Sequence, residues 1–378
     1  MTRQIWSSVK RVSRLPAWAA AVAVAFGLGA IVGPMAVSAH QVSSAGASST
    51  PAPGGFPRMD HVFVIMMENT SYKALLSPGN PNTRFIQQMA ATDGLATRYF
   101  GVTHPSLPNY LAATSGQTWN SNSDDTAQAP LFNHENIVDQ FEAAHVSWKA
   151  YMQSIPFPGD LVDETPNGLY VRKHDPFLMY PDVYTDPGRA GNVVPLRQLG
   201  RDLSSGSVPR FAWISPNICD DMHGGAAACP FPSSPSDPNQ AKLFQDGNNF
   251  LRKWVGLITH SKAWTGHSAI FITWDEGGFS DSPPFGPLSL RPGPDSPLLP
   301  ATPADPTTGG GGDLAGGTAY GGGHVPMIVV ARGVGHHVDR VFSDHYSLLR
   351  TVEENFGLPL LGNAGDGVQV TSLAPLLK

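Results

Sequence analysis

Four predominantly apolar runs stand out in the pattern of hydrophobic and polar positions, and a polar loop follows each of them. The runs cover residues 59–67, 211–214, 269–274 and 325–330. Apolar segments of this length are typical of strands that are buried on both faces of a parallel sheet. A further short strand is expected at residues 147–152. The pattern therefore predicts a central, mostly parallel sheet.

Segments with helical periodicity or helix-start signals lie between and after these runs. The last of them has Asp344 as a helix N-cap and Gly357 as a stop signal. Alternating strands and helices predict the α/β fold class. The expected helices cover residues 83–91, a segment that begins near Ser106, 135–144, 239–260 and 344–357.

Acidic and amide side chains directly follow two of the apolar runs. Glu68 and Asn69 come after the first run, and Asp275 and Glu276 come after the third. In open α/β sheets, ligands bind beyond the carboxyl ends of the strands. Carboxylate and amide oxygens favour Mg²⁺, Ca²⁺ or Mn²⁺, and Zn²⁺ also accepts carboxylates. The sequence predicts one divalent ion here; the alternative is that each acidic pair simply faces solvent.

Ser106 lies between two prolines at the expected start of a helix. Proline is tolerated only in the first turn, so Pro108 fixes the helix start within a residue or two of Ser106. Free backbone N–H groups and the positive end of the helix dipole attract an anion there. We therefore predict that Ser106 is a nucleophile that attacks phosphorus, with an ordinary N-cap serine as the alternative.

Two histidines in polar loops are candidates for contacts to phosphoryl oxygens or for the acid that protonates a leaving group. His174 lies in the dense polar segment 170–177, and His223 lies in the loop after the second apolar run. The alternative for each is an ordinary surface histidine. His324 and His345 are weaker candidates, and His345 is the better of the two because it begins a helix.

The N-terminal region has the three parts of a secretory signal. Residues 1–14 carry four basic side chains and no acid, residues 15–32 are apolar, and small residues follow at 37–39. We expect residues 1–39 to be a signal peptide and the protein to be secreted, with an uncleaved membrane anchor as the alternative. Residues 40–57, rich in Ser, Ala, Pro and Gly, are expected to be a flexible linker.

Residues 58–378 are expected to form one domain. Within it, residues 279–323 are rich in Pro, Gly, Ser and Asp, which predicts a long loop insert. Cys219 and Cys229 are the two cysteines of the chain, and their separation fits one local disulfide after export. The net charge of −6 offers no electrostatic footprint for nucleic acid.

Together, the motifs resemble those of the bacterial phosphoesterases, a family of acid phosphatases and phospholipases C within the alkaline phosphatase superfamily. The arrangement is most similar to that of the secreted mycobacterial-type acid phosphatases that act on phosphoinositides. The resemblance covers residues 58–360, and the order and spacing of the motifs make it specific. The motifs are Met66-Met67-Glu68-Asn69, His104-Pro105-Ser106-Leu107-Pro108-Asn109-Tyr110-Leu111-Ala112, Lys173-His174-Asp175-Pro176, Pro216-Asn217 with Asp221-Met222-His223, Trp274-Asp275-Glu276, and His345-Tyr346 with the helix to Gly357-Leu358-Pro359.

This resemblance implies a three-layer α/β/α sandwich in which a Ser or Thr attacks phosphorus beside a bound metal. It makes Ser106 the nucleophile and Asn109 a donor to a phosphoryl oxygen. His174 and His223 become contacts to the transition state or the leaving group. The implied metal ligands are Glu68, Asn69, Asp275 and Glu276.

The sequence departs from the phospholipase C branch at two places. Tyr110 stands where an arginine usually follows the asparagine, and Phe279-Ser280-Asp281 replaces the Asp-His pair that usually follows the acidic strand end. Both departures favour monoester hydrolysis over lipase activity.

We expect a secreted, metal-dependent phosphomonoesterase that works through a phosphoserine. A phospholipase C that cleaves glycerophospholipids is the alternative. A sulfatase is disfavoured because the chain lacks the Cys/Ser-x-Pro-x-Arg setting, and a non-enzymatic binding protein with the same fold is the fourth interpretation. The expected partners are a phosphate ester, with phospholipids and phosphoinositides as candidates, and a membrane surface in transient contact.

Overall fold

The structure is a computed structural model, and it describes residues 51–234, 236–277 and 322–378. The expected signal peptide, the linker up to residue 50 and the loop insert up to residue 321 lie outside the described residues. Within the described ranges, no helix combines the length and the apolar character that crossing a membrane requires.

A central sheet contains the nine strands of the described residues. They follow one another across the sheet in the order β4-β3-β5-β1-β6-β7-β2-β8, and β9 pairs with β2. β7 runs antiparallel to both β6 and β2, and the other pairs are parallel. The predicted mostly parallel sheet is confirmed. The strands are β1 (Val62–Met67), β2 (Gly94–Phe100), β3 (Trp148–Met152), β4 (Val193–Pro195), β5 (Phe211–Ser215), β6 (Ala269–Trp274), β7 (His324–Ala331), β8 (His337–Asp339) and β9 (Ser343–Asp344).

Helices cover both faces of this sheet. Every residue of β1 and of β6 is buried, although successive side chains of a strand point to opposite faces. α8 contacts α2 and α7 in one group of helices, and α3 contacts α9 in another. The predicted α/β/α fold class is therefore confirmed. The helices are α1 (Tyr72–Leu76), α2 (Arg84–Thr92), α3 (Ser106–Ser115), α4 (Ile137–Ala143), α5 (Pro181–Tyr184), α6 (Pro187–Ala190), α7 (Arg197–Ser205), α8 (Pro238–Thr259) and α9 (His345–Phe356).

The pairing of β1 with β6 positions the acidic loops. Met67 is in register with Trp274, so the residues that follow the two strands, Glu68 and Asp275, leave the sheet side by side. β5 flanks β1 on its other side and pairs with it in parallel. The loops after β5, β1 and β6 therefore meet at one edge of the sheet.

Local signals set the bounds of α3 and α9. α3 begins at Ser106 after an extended Pro105, has Pro108 in its first turn and ends at Gly116 in the left-handed conformation. In α9, the Asp344 side chain accepts a hydrogen bond from the Ser347 N–H, which caps the helix as predicted.

Short elements such as β4, β8 and β9 were not expected from the sequence, and two further differences concern the site and the start of the packed region. Strand β2 did not stand out in the apolar pattern, because polar Thr97 and Arg98 interrupt it. In the described part of the expected linker, Ala52 and Phe56 are buried in the core, so the packed region begins before residue 58.

Candidate active site

Ser106 lies beside two buried carboxylates that come from different strands. Its Oγ donates to Glu68 Oε2 at 3.1 Å and lies 3.5 Å from Glu276 Oε1. Strand β2 explains this position, because two antiparallel pairings through β7 make it run in the same direction as β6. The chain leaving β2 therefore enters α3 at the edge where β1 and β6 also end.

Asn69 links the two acidic loops. Its backbone adopts the left-handed conformation, with φ of 48°, which asparagine tolerates better than most residues. Its N–H donates to Asp275 Oδ1 at 3.0 Å, and its side-chain Nδ2 donates to Glu68 Oε2 at 3.1 Å. The structure thus brings the four predicted metal ligands, Glu68, Asn69, Asp275 and Glu276, to one place.

Several oxygen atoms of this set are buried and lack partners, as the ligands of a divalent cation would be in its absence. Asn69 Oδ1 and Asp275 Oδ2 are buried, and neither has a hydrogen-bond partner within the described part of the chain. Glu276 is also buried, and its Oε2 contacts His104 Nδ1. Burying carboxylates without compensation is costly, and a bound cation removes that cost.

Burial also changes how readily these acids ionise. Burial, together with the nearby Glu276 charge, raises the pKa of Asp275 to about 8. Burial likewise raises the pKa of Glu68 and of Glu276 well above the usual range, and the Asp275 charge adds to the effect on Glu68. A divalent cation at this position would favour the ionised carboxylates.

His174 is a buried histidine that lies between two acids. Its Nε2 is 3.3 Å from Glu68 Oε1, and its Nδ1 is 3.2 Å from Asp221 Oδ2. Burial lowers the pKa of His174 well below the usual value, and the charge of Lys173 lowers it further. The imidazole is therefore neutral at pH 7.

His223 also faces Glu68. Its Nδ1 donates to the Gly224 carbonyl at 2.7 Å, and its Nε2 accepts from Lys173 Nζ at 3.3 Å when the ring is neutral. Burial lowers the pKa of His223 to about 4, and Lys173 contributes to that shift. Ligand atoms of Glu68, His174 and His223 all lie within 4.8 Å of one another, a grouping that would also hold a metal ion.

The predicted disulfide between Cys219 and Cys229 is confirmed. It closes the loop that carries Asp221 and His223, and backbone hydrogen bonds within the loop also stabilise it. Gly224 N–H donates to Ile218 O at 2.7 Å, and Gly225 N–H donates to Cys229 O at 2.7 Å. The disulfide therefore helps to keep His223 against Glu68.

Asn109 stabilises the loop before Ser106 by hydrogen bonds to its backbone. Its Oδ1 accepts from the N–H groups of Val102 at 2.7 Å and Thr103 at 3.0 Å. Its Nδ2 donates to the carbonyls of Thr103 at 2.7 Å and Pro105 at 3.0 Å. Both amide hydrogens thus serve the backbone before Ser106, and a contact from Asn109 to a phosphoryl oxygen stays a prediction.

Tyr110 is a site residue whose role the sequence did not reveal. Its hydroxyl donates to Glu68 Oε1 at 2.5 Å, and its ring stacks on that of His174 with centroids 5.7 Å apart. The signal was present, since Tyr110 occupies the position where the lipase branch has arginine.

His345 lies next to the site and bonds to the backbone of Asp275. Its Nε2 donates to the Asp275 carbonyl at 2.5 Å, and its Nδ1 accepts from the Tyr99 hydroxyl at 2.9 Å. His324, in contrast, stacks on Tyr72 and bonds to the Thr97 carbonyl.

Characterised proteins are similar to this chain over most of its length. It is 25% identical to an acid phosphatase of Aspergillus fumigatus over 82% of the chain and 58% of that protein. It is 24% identical to a phosphate-repressible acid phosphatase of Penicillium chrysogenum over 83% of the chain and 63% of that protein. It is 24% identical to a phosphatidylinositol-3-phosphatase of Mycobacterium tuberculosis over 85% of both chains. The chain thus spans about three fifths of the length of the two fungal relatives.

Among solved structures, a protein of the alkaline phosphatase superfamily from Vibrio parahaemolyticus superposes with a TM-score of 0.48 at 13% identity, over 83% of this chain and 71% of that one. The model of the phosphoesterase family matches residues 79–359, which include Ser106, Asp275 and Glu276. The chain therefore belongs to the phosphoesterase family.

Proposed function

We propose that this chain is a metal-dependent phosphomonoesterase of the acid phosphatase type, with Ser106 as its nucleophile. The observation that carries the proposal is the Ser106 hydroxyl at the first residue of α3, within hydrogen-bond distance of Glu68 and beside Glu276. Relatives named as acid phosphatases support the same class of substrate.

The metal would be held by the oxygen ligands of Glu68, Asn69, Asp275 and Glu276. An alternative ligand set combines Glu68 with His174 and His223. When bound, the metal supplies positive charge that favours an ionised serine and neutralises the phosphate. Its identity among Mg²⁺, Ca²⁺, Mn²⁺ and Zn²⁺ stays open.

The Ser106 hydroxyl already donates to Glu68, so its proton has an acceptor as Oγ attacks. The Oγ–P bond forms while the bond from phosphorus to the ester oxygen breaks, and the ester oxygen leaves as an alcohol with a proton from solvent. Water then hydrolyses the phosphoserine, which releases inorganic phosphate and restores the serine hydroxyl. His174 and His223 are neutral at pH 7 because burial lowers the pKa of both. We therefore assign them contacts to the phosphoryl group or the metal, and not the role of proton donor.

Phosphoinositides are a candidate substrate class, because the Mycobacterium tuberculosis relative is named as a phosphatidylinositol-3-phosphatase. Such a substrate would require transient contact with a membrane surface. Export is part of the same proposal, and the signal-like residues 1–39 and the disulfide support it. N-terminal sequencing of secreted protein should begin near His40; a sequence that begins at Met1 would contradict export with cleavage.

Ser106→Ala tests the nucleophile. The variant should fold and lose nearly all hydrolysis of p-nitrophenyl phosphate, whereas Ser115→Ala, at the other end of α3, should keep kcat within about twofold because it contacts no reacting atom. Acid quenching of the wild type with radiolabelled substrate should trap label on Ser106. Treatment with a chelator should abolish activity, and metal should restore it.

Retained turnover in Ser106→Ala would overturn the mechanism. Release of diacylglycerol from phosphatidylcholine, without phosphate release from monoesters, would favour the phospholipase C alternative.

A further inference from the structure

Asp124 connects the first turn of α3 with Lys173. Its Oδ1 accepts a hydrogen bond from the Leu107 N–H at 3.0 Å, and its Oδ2 accepts one from Lys173 Nζ at 2.6 Å. Leu107 directly follows Ser106 in the chain. One carboxylate therefore bridges a backbone N–H next to the nucleophile and a lysine ammonium.

Lys173 brings positive charge into a site that is rich in acids. Its side chain is 18% exposed, and its Nζ lies 3.3 Å from His223 Nε2. Its ion pair with the Asp124 carboxylate, at 2.6 Å, is the contact expected of a lysine ammonium.

A phosphoryl group that approaches Ser106 needs hydrogen-bond donors and positive charge, because Glu68, Asp275 and Glu276 surround the hydroxyl. The Leu107 N–H and the Lys173 ammonium are a matched pair of donors for a phosphoryl oxygen. In the structure, both donors bond to Asp124, so its carboxylate occupies the position that a phosphoryl oxygen would take. The side chain of Asp124 is 29% exposed and lies on the segment between α3 and α4, so water can solvate it when it leaves.

Two buried oxygens near Ser106 are a second sign of a ligand. Asp275 Oδ2 and Asn69 Oδ1 have no hydrogen-bond partner among the described residues. The surroundings of Ser106 thus offer oxygens suited to a cation as well as donors suited to an anion.

We propose that the Lys173 ammonium and the Leu107 N–H form the subsite for a phosphoryl oxygen, and that the Asp124 carboxylate occupies this subsite until a phosphate ester or inorganic phosphate displaces it. The inference rests on the proposed phosphatase function. Asp124 then competes with both substrate and product, and its return to Lys173 assists the release of phosphate.

The competing interpretation predicts the opposite change in phosphate affinity when Asp124 loses its charge. If Asp124 only holds Lys173 in place, removing its charge would loosen the lysine and weaken phosphate binding. If Asp124 occupies the subsite, removing its charge relieves competition and repulsion, and phosphate binds more tightly. The affinity of the protein for phosphate therefore separates the two roles.

Calorimetric titration with inorganic phosphate, at low ionic strength and on the full-length mature protein, tests this. Asp124→Asn keeps an acceptor for the Leu107 N–H, so we expect the fold to persist and the Kd for phosphate to fall about tenfold. Lys173→Met removes the charge but keeps an apolar stem, and its Kd should rise about tenfold or more. Asp125→Asn is the matched control, because this exposed neighbour bonds only locally, to the Ala127 N–H; its Kd should stay within about twofold of the wild type.

Phosphate binding by Asp124→Asn that is unchanged or weaker would overturn the inference, as would an unchanged Kd in Lys173→Met. Hydrolysis of p-nitrophenyl phosphate by the wild type is measured in parallel. If the wild type hydrolyses the ester but Asp124→Asn binds phosphate no more tightly, the subsite is wrong and the phosphatase stands. If the variants shift phosphate affinity as expected but the wild type has no turnover, the subsite stands and the proposed function fails.

Discussion

Burial controls the chemistry of single residues in this protein. The same desolvation that raises the pKa of Asp275 and Glu276 lowers the pKa of His174 and His223. Acids that resist ionisation and histidines that resist protonation lie side by side, because burial disfavours the charged form of each. A bound cation would reverse this preference for the acids, which is why we place one there.

Glu353, on α9 and outside the site, provides a test of the same physics through stability. Burial raises its pKa from the usual 4.5 to about 9, and its Oε1 accepts from the Leu361 N–H at 2.8 Å. An acid with a raised pKa in the folded state contributes full stability below its unfolded pKa and loses it as pH rises through the folded pKa. The wild type should therefore lose stability between about pH 4.5 and about pH 9.

Glu353→Gln keeps the acceptor and cannot ionise. Relative to the wild type, its free energy of unfolding should increase from pH 5 to pH 8 by on the order of 1–3 kcal/mol. Urea unfolding at several pH values measures this. The exposed Glu164 gives the control, since Glu164→Gln should follow the wild-type profile. Parallel profiles for Glu353→Gln and the wild type would show that Glu353 ionises normally.

Residue types alone identified the acids that the structure brings together near Ser106. Acids directly after apolar runs were sufficient, because parallel strands that end at one edge bring such residues together. The proposed phosphoryl subsite was not predictable in the same way. Asp124 lies in a polar segment with no periodicity, and its contact with Lys173 joins positions 49 residues apart.

At the scale of elements, strand β2 determines where Ser106 lies. The sequence predicted that α3 starts at Ser106, but it gave no reason for this start to face β1 and β6. Thr97 and Arg98 interrupt the apolar pattern of β2, since both are only partly buried. A half-buried strand next to an antiparallel neighbour lacks the continuous run that made the central strands visible.

The turn after β2 also depends on a close approach of two backbones. A Cβ on Gly101 would lie 2.7 Å from the Asp275 carbonyl oxygen and 3.1 Å from Glu276 Cα. Gly101→Ala should therefore push the β2 loop away from the loop that carries the two acids. We expect kcat to fall at least about tenfold, because a small misplacement of catalytic groups is costly.

Gly200, inside α7, is the matched control for this substitution. A Cβ at Gly200 meets nothing within 4 Å. Gly200→Ala should leave kcat unchanged and stabilise the protein by about 0.5–1 kcal/mol through helix propensity. Steady-state kinetics and thermal unfolding of both variants give the comparison. If Gly101→Ala keeps the wild-type kcat, the two loops can accommodate the added Cβ without displacing Asp275 and Glu276.

At the scale of the whole molecule, the site is assembled from segments that are far apart in the chain. Strand ends supply Glu68 and Asp275, a helix start supplies Ser106, and a disulfide-closed loop supplies His223. Strands and helices hold the first three in place by packing. The loop that carries His223 packs on a small separate apolar cluster of Ile218, Cys219, Ala226, Cys229 and Leu243, and its Met222 joins the main core.

Removing the disulfide tests how much that loop depends on it. The double variant Cys219→Ser/Cys229→Ser should lose about 2–3 kcal/mol of stability, because a cross-link over ten residues restricts the unfolded chain. It should also lose part of kcat, since His223 is no longer held against Glu68. Hydrolysis should not disappear, because Ser106 and the acids of β1 and β6 are positioned by the sheet. Treatment of the wild type with a reductant should reproduce both losses and leave the double variant unaffected; a double variant with unchanged kcat would show that the backbone bonds of the loop suffice to place His223.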